Sequence, residues 1–441
     1  MWMEANNKVY GITCNPYDTR RLVGGSSGGE GAATAACFAA FGLGSDVGGS
    51  IRMPAFFNGV YGYKASAHLI PNRGQHPGAR GQINHLLTTG PLCRFAEDLL
   101  PVARVIAEGG FLEDPVAYAP CPPLPLKVHT NLSDITSIRK HHQGIPSSSP
   151  LGNVSAPKKK LRVFAITDFG LFLVPVAAAE KKAVLHVAAH LEHRYGAEVT
   201  VLNLRDPKEN RPLPSVEQLP EGWDLFKMVL PMWTAHMTHD KEERTFIDFM
   251  SEGRLEHEPL EPYREFIKWI FGRSAHTAMS VGLCVIEKTD ELFNMEGLRA
   301  KQLAMGYRFR DAIQRELGDD AIIVCPTYPI PAPKHHEPTW KPFQWLYTAA
   351  FNVSQSPSVN VPVWDDVACG SAAPSYEAAR MAGLPADHYI PKGVQIVSGW
   401  GNDALALSVA AMLDRDGVCG FRYPSWVSAP DGMSLSPHHH A

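Results

Sequence analysis

Val23-Gly24-Gly25-Ser26-Ser27-Gly28-Gly29-Glu30-Gly31 and, after an alanine-rich stretch, Leu43-Gly44-Ser45-Asp46-Val47-Gly48-Gly49-Ser50-Ile51-Arg52 decide the reading of this chain. Two glycine-rich turns, each presenting a serine, flank a small-residue segment expected to be helical from Ala32 to Ala40. Glycine lets the backbone approach a ligand closely and adopt positive φ. Val47, Gly48, Gly49 and Ser50 can therefore turn successive N–H groups toward one point, the physical form of an oxyanion hole. A phosphate cradle would need GxxxxGK[ST] or GxGxxG, and neither occurs here. Gly24-Gly25-Ser26-Ser27-Gly28 fits GxSxG literally, but a nucleophile elbow needs a buried strand before it, and Thr19-Arg20-Arg21-Leu22-Val23 makes a poor one. Two turns without chemistry are the plain alternative. The second motif, 24 residues after the first and ending Gly-Gly-Ser-Ile-Arg, argues against it.

Outward from this segment the chain alternates strand and helix. Leu161 to Ile166 reads as a strand, followed by a helix of about eighteen residues with Gly196 in the helix-stop place, then a strand from Val199 to Leu204. That is a βαβ unit, so part of the sheet is parallel. A helix is expected from Phe95 to Ile106, preceded by the turn signal Thr89-Gly90-Pro91 and kinked or split at Pro101. Met295 to Leu317 reads as a long helix, Ile322 to Pro326 and Val394 to Val397 as strands, and Asp403 to Leu413 as a helix. Proline-, serine- and lysine-rich residues 118–160 read as an insertion or surface connection, and 426–441 as a disordered tail. No internal repeat occurs, which excludes a solenoid or propeller.

Composition narrows the class further. The 441 residues are 45% hydrophobic and 20% charged, and 41 Lys+Arg against 45 Asp+Glu give −4. This is neither a disordered chain nor one with the basic footprint of a nucleic-acid binder. Eight cysteines are scattered singly without a CxxC pair, which reads as buried thiols in a reducing compartment and gives no metal ribbon. No signal peptide and no apolar run of membrane-spanning length is visible, so the expectation is an intracellular protein, at most peripheral on a membrane or lipid droplet.

The Gly24–Arg52 block resembles the amidase signature family, and the surrounding words (Val9-Tyr10-Gly11, Asn15-Pro16-Tyr17-Asp18, Gly44 to Phe57, Asn58-Gly59) resemble its fatty-acid amide hydrolase branch. Thr89 to Leu99, Ala332 to His336 and Pro391 to Val397 carry the likeness to later parts of the chain. The resemblance implies an α/β fold of the amidase signature type, a large mixed twisted sheet flanked by helices on both faces, over residues 1–425. It implies that Ser50 is the acyl-forming nucleophile and Ser26 the proton-relaying serine that follows a cis Gly25–Ser26 peptide. Val47, Gly48 and Gly49, with Ser50, would supply the oxyanion-hole amides, and Asp46 and Arg52 would brace the loops. The reaction implied is hydrolysis of lipophilic N-acyl (fatty acid) amides with no cofactor and no metal. Alternatives are an inactive remnant that still binds acyl chains or membranes, and a glutamine amidotransferase-type subunit.

The family's triad also contains a lysine upstream of the relay serine, and only twenty-five residues precede Ser26 here. The expectation is a shortened chain, lacking the family's N-terminal part, with reduced or no activity. Lys8 and Lys64 are poor substitutes by position. Tyr263, Phe266, Ile267, Trp269, Ile270 and Phe271 surround one helix, readable as core or as a membrane-facing surface through Phe266, Trp269 and Ile270. His186, His190 and His193 share a helical face and read as solvated rather than as a metal site. His335-His336 could line a pocket mouth. A homodimer is compatible with the resemblance.

Overall fold

Two-residue alternation along the central strands divides the interior into two apolar layers, one on each face of an eight-stranded sheet. The computed structural model describes residues 3–75, 81–113, 160–172, 174–206, 208, 219–238, 246–251, 260–292, 296–364, 390–422 and 424. In chain order the elements that matter are α1 (Gly28–Ala35), β1 (Phe41–Asp46), α2 (Arg52–Phe57), β2 (Tyr61–Lys64), β3 (Thr88–Cys93) and α3 (Ala96–Glu113). Then come β4 (Arg162–Asp168), α4 (Ala178–Tyr195), β5 (Glu198–Asn203), α5 (Val229–Thr238), α6 (Pro262–Ile270) and α7 (Ala278–Leu292). The last are α8 (Glu296–Leu317), β6 (Ala321–Pro326), α9 (Leu346–Val353), β7 (Ser358–Val363), β8 (Lys392–Ser398) and α10 (Asp403–Arg415).

The sheet order is β1-β3-β2-β7-β8-β6-β4-β5. β4 runs parallel to β5 and β6, and the remaining neighbours are antiparallel, so the sheet is mixed as expected. Along β4, Val163 and Ala165 enter the layer formed with α3, α4 and α10, while Phe164 and Ile166 enter the layer formed with α2, α5, α8 and α9. Each fully buried Val or Ile in such a strand contributes about 1.5–3 kcal/mol relative to exposure. On β7 and β8 the second face departs from this pattern. Ser358, Asn360 and Gln395 are fully buried there and form a polar stripe beneath α2.

Several expectations are corrected. α1 begins at Gly28 and ends at Ala35, because Cys37 takes φ 63° and the chain turns there into β1. Thr89-Gly90-Pro91 lies inside strand β3 rather than in a turn. Gly90 is there for close approach, since a Cβ would overlap the Tyr63 carbonyl oxygen of the neighbouring strand. Pro101 sits on the exposed side of an unbroken α3, where hydrogen bonds are longest and loss of one is tolerated. The expected βαβ unit is β4-α4-β5, and Met295 lies outside the described residues, as do 118–159 and 426–441. Among the described residues, Cys14, Cys37, Cys93, Cys284, Cys325 and Cys419 are free thiols, with Cys14 exposed rather than buried. Among them, too, no helix is long and apolar enough to cross a membrane.

Gly196 closes α4 at φ 66°, with its amide bonded to the Glu192 carbonyl and open space where a Cβ would stand. Gly196→Ala should therefore cost about 1 kcal/mol through backbone strain alone, read as a lower urea midpoint with unchanged slope.

Candidate active site

The loop between β1 and α2 is organised around a carboxylate. Asp46 ends β1 with its side chain fully buried, and Arg52, equally buried, opens α2. Asp46 Oδ1 accepts from Gly49 N at 2.7 Å, Arg52 Nη2 at 2.9 Å and Asn352 Nδ2 at 2.9 Å. Its Oδ2 accepts from Ile51 N at 3.2 Å and Arg52 Nε at 3.0 Å. The guanidinium also donates to Asn352 Oδ1 at 2.6 Å and to Gln395 Oε1 at 3.0 Å on the polar stripe. Burial alone would raise the Asp46 carboxyl, but the Arg52 charge and hydrogen bonds, helped by Lys64 and Asn352, bring it to about 2. Asp46 and Arg52 thus tie the two ends of the turn to each other.

Within that turn, carbonyl groups are held from outside. Asn352 Nδ2 donates to Asp46 O at 3.1 Å, Trp233 Nε1 to Val47 O at 2.8 Å, and Thr348 Oγ1 to Gly48 O at 2.7 Å. A planar trans peptide points its N–H opposite its C=O. Fixing these carbonyls therefore fixes the direction of the amides that follow. Among the described residues, the amides of Val47, Gly48 and Ser50 donate to no protein acceptor. Gly49 is different, and here the expectation is corrected. Its N–H is spent on Asp46 Oδ1, so it is not an available oxyanion donor. Gly49 sits at φ 129°, and a Cβ there would overlap the Thr348 side chain, so only glycine fits.

The first serine loop packs against the same helix. Gly24 takes φ 80°, and a Cβ would lie 2.9 Å from the backbone of Pro54 in α2. Asn58 Nδ2 and Asn15 Nδ2 donate to the carbonyls of Val23 at 2.8 Å and Leu22 at 3.0 Å, holding the approach. The Gly25–Ser26 peptide is cis. Ser27 N donates to Ser50 O at 3.2 Å, which joins the two serine loops one residue from Ser26. Ser50 is half-buried and Ser26 exposed. Residues 19–25, which lead directly into Ser26, form no strand; Leu22 and Arg21 make only isolated bridges to Cys14 and Lys334, so the elbow of an α/β-hydrolase does not describe this loop.

Neither lysine weighed as a substitute base is bonded to a serine hydroxyl. Lys8 is exposed. Lys64 is buried on β2, where its ammonium donates to the carbonyls of Ser356 at 2.8 Å and Ala65 at 3.1 Å. Burial and then the Arg52 charge lower it to about 7, against the opposing pull of Asp46 and Asp403. His335 and His336 bond the N-terminal segment, through Thr19 O and Glu4. His190 pairs with Asp416 at 2.9 Å, His186 is half-buried and His193 exposed. His438 to His440 lie outside the described residues.

The residues that sequence reasoning missed are those that hold the loop from afar. Thr348 and Asn352 are four apart on α9, a helix otherwise apolar all round, and that polar pair was a readable signal. Nothing local marks Trp233 or Gln395. On α6, by contrast, the apolar side faces outward. Ile270 is 58% and Phe271 71% exposed, with Phe266, Ile267 and Trp269 also exposed, while Glu265 is buried against Ser274.

The model of the Amidase family matches residues 1–124. The chain is 34% identical over 415 residues to Fatty-acid amide hydrolase 2 of Homo sapiens, and 33% identical over 421 residues to Fatty-acid amide hydrolase 2-B of Danio rerio. Each alignment covers 94% of this chain and 64% of the relative, so the chain spans somewhat less than two thirds of their length. A solved structure of a fatty acid amide hydrolase matches with TM-score 0.58 at 20% identity, covering 94% of this chain and 63% of that one. A solved structure of 6-aminohexanoate cyclic dimer hydrolase matches with TM-score 0.59 at 21% identity, covering 96% of this chain and 74% of that one. At these identities the structural matches carry the fold.

Two outcomes test this geometry. Arg52→Leu should destabilise by about 3–5 kcal/mol in chemical denaturation, because it strands a buried carboxylate. For Lys64, the unfolded chain keeps between about pH 7 and 10.5 a proton that the folded chain releases. The stability of the wild type relative to Lys64→Met should therefore rise from pH 6 to pH 9.

Proposed function

We propose that the chain is a member of the amidase signature family and a serine amidase acting on lipophilic N-acyl amides. Ser50 attacks the amide carbonyl, the amine leaves, and water releases the acid from the acyl-enzyme. Ser26 relays the Ser50 hydroxyl proton to the departing amine, which leaves neutral. The developing oxyanion is met by the amides of Val47, Gly48 and Ser50. The observation that carries this reading is the turn 46–50, whose carbonyls are drawn away by Asn352, Trp233 and Thr348 while those amides stay without protein acceptors. Such pre-aimed donors account for a large share of acyl-transfer catalysis.

Among the described residues no amine or imidazole bonds to Ser26 or Ser50, so the labelling rate of this chain measures the nucleophile and its donors without a bonded base. A fluorophosphonate probe should label Ser50, with labelling abolished in Ser50→Ala and slowed in Ser26→Ala. Lipid binding without any labelling would instead mean a remnant that only holds acyl chains.

The lipophilic substrate class rests on likeness to the fatty-acid amide hydrolases and on the outward apolar face of α6. In this reading Phe266, Trp269 and Ile270 dip into a membrane surface and let the substrate arrive from lipid. An amidotransferase-type subunit has no need of such a face. Replacing both Phe266 and Trp269 by serine should lower partition onto phosphatidylcholine vesicles by about tenfold or more, with the thermal midpoint little changed. An unchanged partition coefficient would remove the membrane assignment.

A further inference from the structure

Asp46 O and Gly48 O are held by Asn352 and Thr348, both fully buried on α9. The peptide between them is held differently. Val47 O accepts from Trp233 Nε1, which comes from α5 and is only half-buried. This hydrogen bond alone fixes the outer side of the Val47–Gly48 peptide, and the N–H of that peptide belongs to Gly48. Gly48 cannot resist rotation by itself, because it has no side chain to restrict φ and ψ. The space a side chain would occupy is filled by two indoles. A Cβ at Gly48 would lie 3.0 Å from the Trp345 ring and 3.3 Å from Trp233 Nε1. The two rings meet edge to face, with centroids 4.6 Å apart, so Trp345 in turn holds the ring of Trp233.

We infer that Trp233 is a positioning residue for acyl transfer: its indole N–H, gripping the Val47 carbonyl, keeps the Gly48 amide aimed at the oxyanion. Without that grip the Val47–Gly48 peptide is free to turn over, which would replace a donor by a carbonyl oxygen at the point where negative charge develops. The inference rests on the serine amidase reading above. It adds that α5, through a single hydrogen bond, sets how many donors are in place.

The test separates the N–H from the ring. Trp233→Phe keeps an aromatic ring against Trp345 but removes the donor. Loss of one oxyanion donor typically costs ~10²–10³ in rate, so the fluorophosphonate labelling rate at Ser50, and kcat on an N-acyl amide, should fall by about that factor or somewhat less. KM should change by less than about threefold, since ground-state binding does not use this amide. A trifluoromethyl ketone analogue, which forms a tetrahedral adduct, should weaken in proportion to kcat/KM, while affinity for the fatty acid product stays constant. A packing role alone would not produce that split. Where Trp233→Phe fails to fold, as circular dichroism would show, benzothienylalanine at position 233 keeps the indole shape with sulfur in place of N–H and should give the same split. Labelling of the variants at the wild-type rate, or equal loss in ketone and product affinity, would overturn the inference while leaving the amidase reading intact. A wild-type chain that does not label at Ser50 would overturn both.

Discussion

A carboxylate and a guanidinium, both withdrawn completely from water, govern the organisation of this protein. Neither Asp46 nor Arg52 could remain charged alone in that position, because an isolated buried ion costs many kcal/mol. They are stable there only because every face of the pair is answered. The amides of Gly49 and Ile51 bind the carboxylate, Asn352 and Gln395 bind the guanidinium, and the polar stripe of β7 and β8 extends beneath them. The geometry of the turn 46–50 follows from this pairing. Asp46 consumes the Gly49 amide, so the neighbouring amides of Val47, Gly48 and Ser50 are the ones left without a protein acceptor among the described residues.

The same hub explains why the sheet is polar where a core would be apolar. Gln395 donates to the carbonyls of Tyr347 and Pro326 while accepting from Arg52 and Ser358, and so it locks α9 to the strands. α9 then carries Thr348 and Asn352 to the carbonyls of the turn. A rigid helix fixed to a rigid sheet holds these backbone dipoles in place, the preorganisation on which the proposed electrostatic stabilisation depends. Trp233 is the exception, since it reaches the turn from a helix outside this framework.

At the periphery the logic inverts. α6 buries its glutamate and exposes its aromatic residues, with Phe266 and Trp269 stacked at 6.1 Å between centroids. Glu265 is satisfied by Lys268 and Ser274, so the inward side of the helix is held by polar contacts. Contiguous apolar exposure of this kind is uncommon on a surface that meets only water. A periodic pattern states that a helix is amphipathic and does not state which side faces the protein.

What the residues determined unaided was local. Glycine and serine at short spacing announced two close-approach turns, short apolar runs flanking a period of 3.6 announced β4-α4-β5, and Gly196 announced the end of a helix, because turn chemistry and side-chain direction act over a few residues. Strand β3 stayed hidden, since Gly90 and Pro91 belong there only when the neighbouring backbone is in place. The grips of Trp233 on Val47, Thr348 on Gly48 and Asn352 on Asp46 join positions 186, 300 and 306 residues apart. The tertiary structure alone decided these, along with the diversion of the Gly49 amide and the outward turn of α6. Each is a choice of partner among distant groups, and a hydrogen bond leaves no periodic trace in the sequence at either of its ends.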